Sequence, residues 1–408
     1  MDSAFTRPIW WRIGSRALTV CGMLALLFHA VRLHAVDFLI LRYLNYNDFG
    51  KFYYSLQQWR QMGTLYGPSP ATLLPFGDGR SEHLWNMNPP HFHALIWPLA
   101  YLSIEDAYAV WTAANFAVAA VTMVAIERAL HLRWAATTWV IGLILAFASA
   151  PVLTWLVTGQ LTGFVFGLVT AIWLSARRGQ WDRCGLLVGL LCSVKPFLGL
   201  LGVFLLIRRQ WRAAALAVAA ASSAFALGVV IFGLEAHREW LGAIKDAHWI
   251  GSVMNASVYG LIGRTWSLDV FTTTPVARFV ATCFALGIVT TAIAAVWRTA
   301  DLDRAMLILL ATSLLASPLG WVYYTPIMLG PMIALRHSRS LGPQTYPALV
   351  GFMIPHAWLW PFSSRLFAVT IGSAYTWSLM CLWALALVPD AAAVRPVSQE
   401  QPRGLPEA

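Results

Sequence analysis

Long apolar runs recur along this chain from Ala17 to Asp390, and short loops that carry arginine separate them. Hydrophobic residues make up 59% of the 408 positions and charged residues only 11%, against roughly 25% charged in a typical soluble domain. Because a helix needs about 20 apolar residues to cross a bilayer, these runs predict an all-α polytopic membrane protein. We expect one integral membrane domain over residues 1–388 and a disordered tail over 389–408, which is rich in proline, alanine and charge.

The basic residues predict how the chain is oriented in the membrane. The formal charge of +10 comes from arginines scattered in short clusters, which membrane topology explains better than a nucleic-acid partner. Arg7, Arg12 and Arg16 place the N-terminus in the cytoplasm, and the run after them is a retained span, since no small-residue cleavage pattern follows it. The span count puts the C-terminus in the cytoplasm too. We therefore expect a multi-pass protein of the cytoplasmic membrane.

About ten spans and two partial segments are predicted. The spans cover 17–36, 105–126, 134–156, 160–176, 213–234, 275–297, 304–317, 319–335, 345–361 and 366–388. The segment 91–102 is too short to span and is expected at the interface. The segment 184–207 has basic residues at both ends, Arg183 and Arg208-Arg209. It is therefore predicted to be a re-entrant or broken helix with its tip near Lys195-Pro196.

A polar segment from Tyr46 to Pro90 follows the first span and is predicted on the external side. It contains Asp48, which lies among aromatic residues near the membrane edge, where a carboxylate suits general-base chemistry. The alternative is a solvated acid of a loop. The arginine-based placement brings other polar residues toward the same face: Asn88, Gln160, Lys195, the loop 235–274 and Ser317-Pro318. One active site on the external, or periplasmic, side follows as a hypothesis.

Lys195 is the strongest isolated signal in the apolar part of the chain. A lysine at mid-membrane costs roughly 2.5–3.5 kcal/mol on insertion scales, so it needs an anion or a cavity. Few acidic residues in the spans could pair with it, which favours a phosphate partner over a snorkelling or carboxylate-paired lysine. Arg264 in the loop 235–274 and His93 are further candidates for a phosphate contact.

The motifs around Asn88 and Gln160 each have a structural and a functional interpretation. Asn88-Pro89-Pro90 caps and opens a helix, while the Asn88 and His93 side chains offer groups for a phosphate or a sugar. Gly159-Gln160 either forms a tight turn or presents an amide and a helix N-terminus to a hydroxyl or an anion.

Trp321 and Tyr324 follow the break at Ser317-Pro318. Aromatic residues at an interface are usually belt residues, but an indole also stacks on the apolar face of a sugar ring. The histidines and cysteines show no convincing metal-ligand spacing. No metal site and no cofactor are predicted, and a role for a divalent metal is left open.

The order of these motifs resembles glycosyltransferase family 87, a family of polyprenol-phosphate-sugar-dependent membrane transferases in the GT-C superfamily. The resemblance covers about residues 15–385. The motifs that carry it, in chain order, are Asp48-Phe49 with Tyr53-Tyr54, Gly63-Thr64-Leu65-Tyr66, Asn88-Pro89-Pro90, Pro98-Leu99-Ala100, Trp111, Gly159-Gln160, Gly185 to Lys195-Pro196 with Arg208-Arg209, and Ser317-Pro318 with Trp321. Many members carry histidines after the last motif, where this chain has Tyr323 and Tyr324.

The resemblance implies a GT-C-like fold and the transfer of a sugar, commonly mannose, from a polyprenyl-phosphate donor. The acceptor would be a glycan or glycolipid outside the cytoplasmic membrane, and transfer would invert the anomeric centre. An aspartate in the first external loop acts as base in this family, and Asp48 matches it. The alternative function is a flippase or transporter for lipid-linked sugars, because broken helices and a midplane lysine are transporter features as well.

Overall fold

The computed structural model describes residues 48–66, 73–75, 81–83, 86–245, 249–268, 273–338, 340–342, 345–359 and 364–388. The predicted first span, 17–36, and the predicted tail, 389–408, lie outside these residues. The described α-helices are α1 (Asp48–Met62), α2 (Pro90–Ile96), α3 (Ile104–Ala129), α4 (Ala136–Ala148), α5 (Ala150–Thr158), α6 (Thr162–Arg177), α7 (Trp181–Val194), α8 (Leu200–Ile207), α9 (Trp211–Lys245), α10 (Val258–Ser267), α11 (Pro275–Arg298), α12 (Leu302–Leu315), α13 (Leu329–His337), α14 (Thr345–Gly351), α15 (Arg365–Val369) and α16 (Ala374–Leu387).

Short 3₁₀-helices and one small sheet complete the described elements. The 3₁₀-helices cover Trp97–Tyr101, Pro196–Leu198, Val322–Met328, His356–Leu359 and Ile371–Ser373. Strands β1 (Leu73–Pro75) and β2 (Ser81–His83) pair antiparallel, with Leu73 opposite His83. This hairpin lies in the polar segment after Asp48, so the fold is predominantly helical rather than strictly all-α.

Four helical stretches in the described chain are long and apolar enough to cross a membrane: α3, α9, α11 and Arg365–Leu387, which contains α15 and α16. Helices α4 and α5 form a fifth candidate, but they meet at a bend of 70°. The predicted spans 105–126 and 275–297 correspond closely to α3 and α11. The predicted total of ten spans is not confirmed.

Several other predicted segments consist of shorter helices. Helix α6 has 16 residues, and α7 is separated from α8 by the break at Lys195, as expected for segment 184–207. At a rise of 1.5 Å per residue, helices of 8–16 residues reach at most about 24 Å, less than the roughly 30 Å hydrocarbon core. Proline residues at Pro196, Pro318 and Pro326 lie within or beside these divisions and remove backbone donors.

Helix α9 continues past the predicted span 213–234 as far as Lys245, with non-helical backbone at Gly233 that kinks it. Beyond the kink it packs on the polar segment: the Thr64 hydroxyl donates to the Glu239 carboxylate at 3.1 Å. The Trp240 indole donates to the Met87 carbonyl at 3.0 Å. The predicted loop 235–274 therefore begins as a helix that covers the polar segment.

Close helix packing fixes the frame around the polar segment. A Cβ atom added at Gly185 or Gly189 would lie 2.1 Å from the carbonyl oxygen of Ala213 or Ala217, so the backbones of α7 and α9 are in direct contact. This small-residue spacing of four is a known way to bring membrane helices together. Helix α12 is buried almost all round, from Arg304 to Leu315, and forms the centre of the bundle.

Candidate active site

Asp48 lies in the first turn of α1, where a negative charge is favourable near a helix N-terminus. One carboxylate oxygen, Oδ1, is 2.6 Å from the Lys51 ammonium, and both side chains are about 15% exposed. The other oxygen, Oδ2, accepts a hydrogen bond from the Gln160 side-chain amide. Asp48 is therefore a half-buried, oriented carboxylate rather than the fully solvated loop acid of the alternative interpretation.

Gln160 is positioned by the tight turn that ends α5. Gly159 has φ 66°, and a Cβ there would lie 2.6 Å from the Phe49 Cβ, so the start of α1 packs directly on this turn. The Trp111 indole donates to the Gly159 carbonyl at 2.7 Å, and the Trp155 indole donates to the Gln160 carbonyl at 2.9 Å. With its backbone held on both sides and only 4% exposure, Gln160 presents its amide to Asp48 in a fixed direction.

Tyr324 connects Gln160 to the break between α12 and α13. Its hydroxyl donates to the Gln160 side-chain oxygen at 3.3 Å, and its ring is 2% exposed. The ring also packs against Phe197, with centroids 5.2 Å apart, and against Tyr323 at 4.8 Å. Three segments that are distant in sequence thus meet around the carboxylate of Asp48.

Lys195 lies at the break after α7, next to the Tyr324 ring. Its ammonium is 5.4 Å from the ring centroid and donates to the Asn88 side-chain oxygen at 2.9 Å. Within the part of the chain that the structure describes, no carboxylate forms an ion pair with Lys195, although Asp48 lies within electrostatic range. The nearest recorded partners of this half-buried cation are therefore a neutral amide and an aromatic face.

Asn88 and His93 belong to a buried network at the start of α2. The Asn88 carbonyl accepts from the Tyr66 hydroxyl at 2.5 Å, and burial raises the pKa of that hydroxyl. The His93 ring lies 3.2 Å from the Pro89 carbonyl through Nδ1 and 2.6 Å from the Asn86 amide through Nε2. Burial lowers the pKa of His93 to about 4, so the ring is neutral, with Nδ1 as donor and Nε2 as acceptor.

The consequence for the predicted contacts differs between these two residues. Both ring nitrogens of His93 are used inside the protein, so its position favours the structural interpretation of the motif. The Asn88 side chain faces Lys195 and belongs to the group around Asp48.

Arg264 lies in α10, and its contacts connect it to a different group of residues. The guanidinium is fully buried, donates to the carbonyls of Ser252 and Asn255, and contacts the hydroxyls of Ser373 and Thr376 at 3.0 and 3.4 Å. These contacts join the loop before α10 to the start of α16. None of them involves Asp48 or Lys195, and its predicted phosphate contact stays a prediction.

Trp321 lies at the edge of the group around Asp48. Its indole is half-buried and stacks on Tyr323, with ring centroids 5.8 Å apart and an interplanar angle of 15°. Tyr323 in turn contacts Tyr324. An aromatic path therefore leads from Trp321 to the ring beside Lys195.

Asn255 was missed as a functional candidate, although it holds the Trp321 turn in place. It is fully buried, and all four of its side-chain hydrogen-bonding positions are occupied: Nδ2 donates to the carbonyls of Ile250 and Pro318 at 2.9 and 2.8 Å, and Oδ1 accepts from the amides of Ser257 and Gly320 at 3.2 and 2.9 Å. The two joined loops are more than 60 residues apart, so no local pattern pairs them.

Lys51 was also missed, although its spacing of three residues from Asp48 on a helix is a local signal that predicts the ion pair. It places a second positive charge beside the carboxylate.

A cavity of about 1330 Å³ opens beside Lys195 and extends between α3, α6 and α7. This is larger than a typical small-molecule pocket, and most of its lining is apolar. At the end near Asp48 its walls include Phe92, Trp111, Leu161 and Lys195. Among the described residues, no group of three or more His, Cys, Asp or Glu side chains could hold a metal ion.

The model of glycosyltransferase family 87 matches residues 86–318 of the chain. Comparisons with curated proteins and with solved structures find no match. The matched region contains Asn88, Gln160 and Lys195, whereas Asp48 precedes it. Together with the apolar helices, this match over more than half of the sequence identifies a membrane glycosyltransferase, and the chain belongs to glycosyltransferase family 87.

Proposed function

We propose that the protein transfers a hexose, of the mannosyl type, from a polyprenyl-phosphate donor to a hydroxyl group of a glycan or glycolipid acceptor. Transfer takes place on the external side of the cytoplasmic membrane and inverts the anomeric centre. The observation that carries the proposal is that an oriented carboxylate, Asp48, lies close to Lys195 at the end of a large apolar cavity. Among the described residues, no carboxylate forms an ion pair with this lysine.

Asp48 acts as general base in this proposal. The contacts with Lys51 and Gln160 hold its two oxygens in defined positions, which a base needs in order to meet an acceptor hydroxyl. The carboxylate takes the proton from this hydroxyl while the acceptor oxygen bonds to the anomeric carbon. The bond from that carbon to the phosphate oxygen breaks, and its electron pair leaves with the polyprenyl phosphate.

Lys195 and Lys51 stabilise the negative charge that develops on the leaving phosphate. The ammonium of Lys195 is held between Asn88 and the Tyr324 ring, and neither of these neutralises it. A cation placed where charge develops stabilises the transition state without further reorganisation. The donor phosphate would lie beside Lys195 in the position that a carboxylate occupies when a half-buried lysine forms an ion pair.

The sugar would lie between Gln160 and the aromatic path of Trp321, Tyr323 and Tyr324. The half-buried indole of Trp321 offers a face for the apolar side of the ring, and the amide of Gln160 offers polar groups to its hydroxyls. His93 and Arg264 are not assigned a contact with the donor in this proposal, because their recorded hydrogen bonds lie within the protein. The prenyl chain would enter the cavity between α3 and α7.

The external position rests on the arginine distribution and on the relative directions of two helices. The Asn115 side-chain oxygen accepts from the Gly163 amide at 3.1 Å, and Gly167 lies beside Val118, so α3 and α6 run parallel. Their arginine-bearing ends therefore lie at the same end of the bundle, opposite Asp48. Since arginine-rich loops favour the cytoplasm, the site faces outward.

The test is transfer of labelled sugar by the purified protein in lipid vesicles, with a panel of polyprenyl-phosphate sugars and nucleotide sugars as donors. The expected result is turnover with a polyprenyl-phosphate hexose and none with a nucleotide sugar. Turnover with nucleotide sugars alone would refute the donor. Movement of an intact lipid-linked sugar across the bilayer without transfer would favour the flippase instead.

A further inference from the structure

The cavity beside Lys195 has a second polar end that the proposed reaction does not use. There the lining changes from apolar to strongly basic, with Arg128 in the last turn of α3 and His131 just after it, Arg177 and Arg178 at the end of α6, and Arg183 in the first turn of α7. Because α3 and α6 run parallel and α7 follows α6 directly, these residues gather at one end of the bundle. The 16 residues of α6 separate this end from Gln160 by about 24 Å.

The positive charge at this end is only partly neutralised. Arg177 is paired with Asp303 and also lies against the Trp173 ring. In the described ranges, by contrast, no carboxylate forms an ion pair with Arg128, Arg178 or Arg183. These three guanidinium groups are exposed and converge on one cavity.

The nearest carboxylates along the chain are already engaged elsewhere. Asp182 pairs with Arg212 at 3.1 Å, and Glu127 accepts from the Trp134 amide at 2.9 Å. Among the described residues, the basic end of the cavity therefore presents three guanidinium groups without an ion-pairing carboxylate. A guanidinium group binds a phosphate through two parallel hydrogen bonds. These arginines therefore suit a phosphate better than lysines, whose ammonium groups act as point charges, would.

The wall between the two ends is apolar and includes Val118, Val121, Leu168 and Ala171. The Val121 side chain, for example, is 69% exposed, which indicates a surface that hydrocarbon would cover in a membrane. A soluble anion would satisfy the arginines and leave this wall bare. An amphiphile with an anionic head satisfies both parts.

We propose that the basic end of the cavity binds the phosphate head group of an anionic glycerophospholipid of the cytoplasmic leaflet, with one acyl chain along the wall of α3 and α6. The arginine end is predicted at the cytoplasmic side, where a phospholipid head lies at the right depth. The lipid and the proposed sugar donor approach the cavity from opposite leaflets. The site therefore does not depend on the identity of the donor.

The main competing explanation is general attraction between cytoplasmic arginines and an anionic membrane. The chain offers a matched control for it, because Arg133, Arg209 and Arg298 are also exposed and do not line the cavity. The test variant is R128Q/R178Q/R183Q and the control variant is R133Q/R209Q/R298Q. Both lose three positive charges.

Native mass spectrometry of the purified full chain measures retained lipid after equilibration with phosphatidylglycerol or phosphatidylcholine. We expect the wild type and the control variant to retain phosphatidylglycerol preferentially, and the test variant to bind it at least about tenfold more weakly, since each charged hydrogen bond contributes. Val121→Trp places a larger side chain on the apolar wall, in the space proposed for the acyl chain, and should also weaken retention of the lipid. Inorganic phosphate should not displace the lipid.

Equal losses in the test and control variants would reduce the effect to membrane attraction and overturn the site. Equal retention of the two lipids by the wild type would overturn it as well. Displacement by inorganic phosphate at the same concentration would show a soluble-anion site instead. Thermal unfolding of each variant checks that the fold is intact, and sugar transfer need not be active for any of these measurements.

Discussion

Replacing Gln160 by leucine tests whether the orientation of Asp48 matters for transfer. Leucine has a similar size but removes the amide that donates to Asp48 and the oxygen that accepts from Tyr324. The tight turn at Gly159 stays in place, because the indoles of Trp111 and Trp155 hold backbone carbonyls only. The substitution therefore removes side-chain contacts and leaves the backbone frame.

The expected magnitude follows from the type of bond that is lost. A hydrogen bond to a charged group is worth about 1.5–3 kcal/mol, and Gln160 is buried, so water replaces the amide poorly. A loss of about 2 kcal/mol in transition-state stabilisation lowers kcat/KM about 30-fold. The second bond, to the neutral Tyr324, is longer and adds less.

A second substitution at the same position separates orientation from charge. Gln160→Glu keeps the shape but places a carboxylate beside Asp48, and two adjacent carboxylates hold a proton more strongly than one. We expect its transfer rate to increase with pH over a range in which that of Gln160→Leu changes little. Gln210→Leu is the matched control, because the Gln210 amide donates to the Arg208 carbonyl and, among the described residues, makes no hydrogen bond to Asp48 or Tyr324.

The assay is steady-state transfer of labelled sugar in lipid vesicles, with circular dichroism and thermal unfolding to confirm that each variant is folded. A folded Gln160→Leu protein with wild-type kcat/KM would refute the role given to this contact. A loss of equal size in Gln210→Leu would show that the assay responds to general perturbation.

Three further predictions concern the frame and the phosphate site. Asn255→Ala removes the partner of four backbone groups, three of which belong to buried residues and cost about 1–3 kcal/mol each when left without a hydrogen bond. The unfolding temperature in detergent should therefore fall by several degrees, and an unchanged temperature would contradict the hydrogen-bond argument. Gly185→Leu should separate α7 from α9 and lower the yield of folded protein, while Leu186→Ala at an exposed neighbouring position should not, as measured by size-exclusion chromatography. Lys195→Met should lower kcat at least about tenfold, because it removes the positive charge that stabilises the leaving phosphate. Wild-type kcat in the folded variant would contradict this role.

Long uniform segments were predictable from the sequence, because their length and composition have one physical solution in a bilayer. Helices α3 and α11 agree with the predicted spans to within a few residues. The break at Lys195-Pro196 was also predicted correctly, since basic residues at both flanks and a proline leave few alternatives. The kink at Gly233 and the helix beyond it were not predicted, because the apolar run ends there and no local signal indicates that the helix continues.

The site was predictable in its members but not in its contacts. Asp48, Gln160 and Tyr324 were each selected from local motifs, and the structure brings them into one hydrogen-bonded chain across 112 and 164 residues of sequence. Two further predicted phosphate contacts, those of His93 and Arg264, stay predictions. His93 and Arg264 carry the right groups for a phosphate, but other parts of the protein engage them. The partners of His93 are the Pro89 carbonyl and the Asn86 side-chain amide close by in sequence, whereas Arg264 also contacts the hydroxyls of Ser373 and Thr376 more than 100 residues away, which leave no local pattern.

The central claim, that Asp48 is the base, is tested most directly by Asp48→Asn in the sugar-transfer assay. Asparagine keeps the shape but cannot accept the proton of the acceptor hydroxyl, and general-base catalysis contributes typically 10²–10⁴-fold. Asp106→Asn, at an exposed carboxylate in the first turn of α3, is the control. We expect transfer to fall at least about 100-fold in Asp48→Asn and to stay unchanged in Asp106→Asn. Folded Asp48→Asn protein that transfers sugar at the wild-type rate would contradict the account.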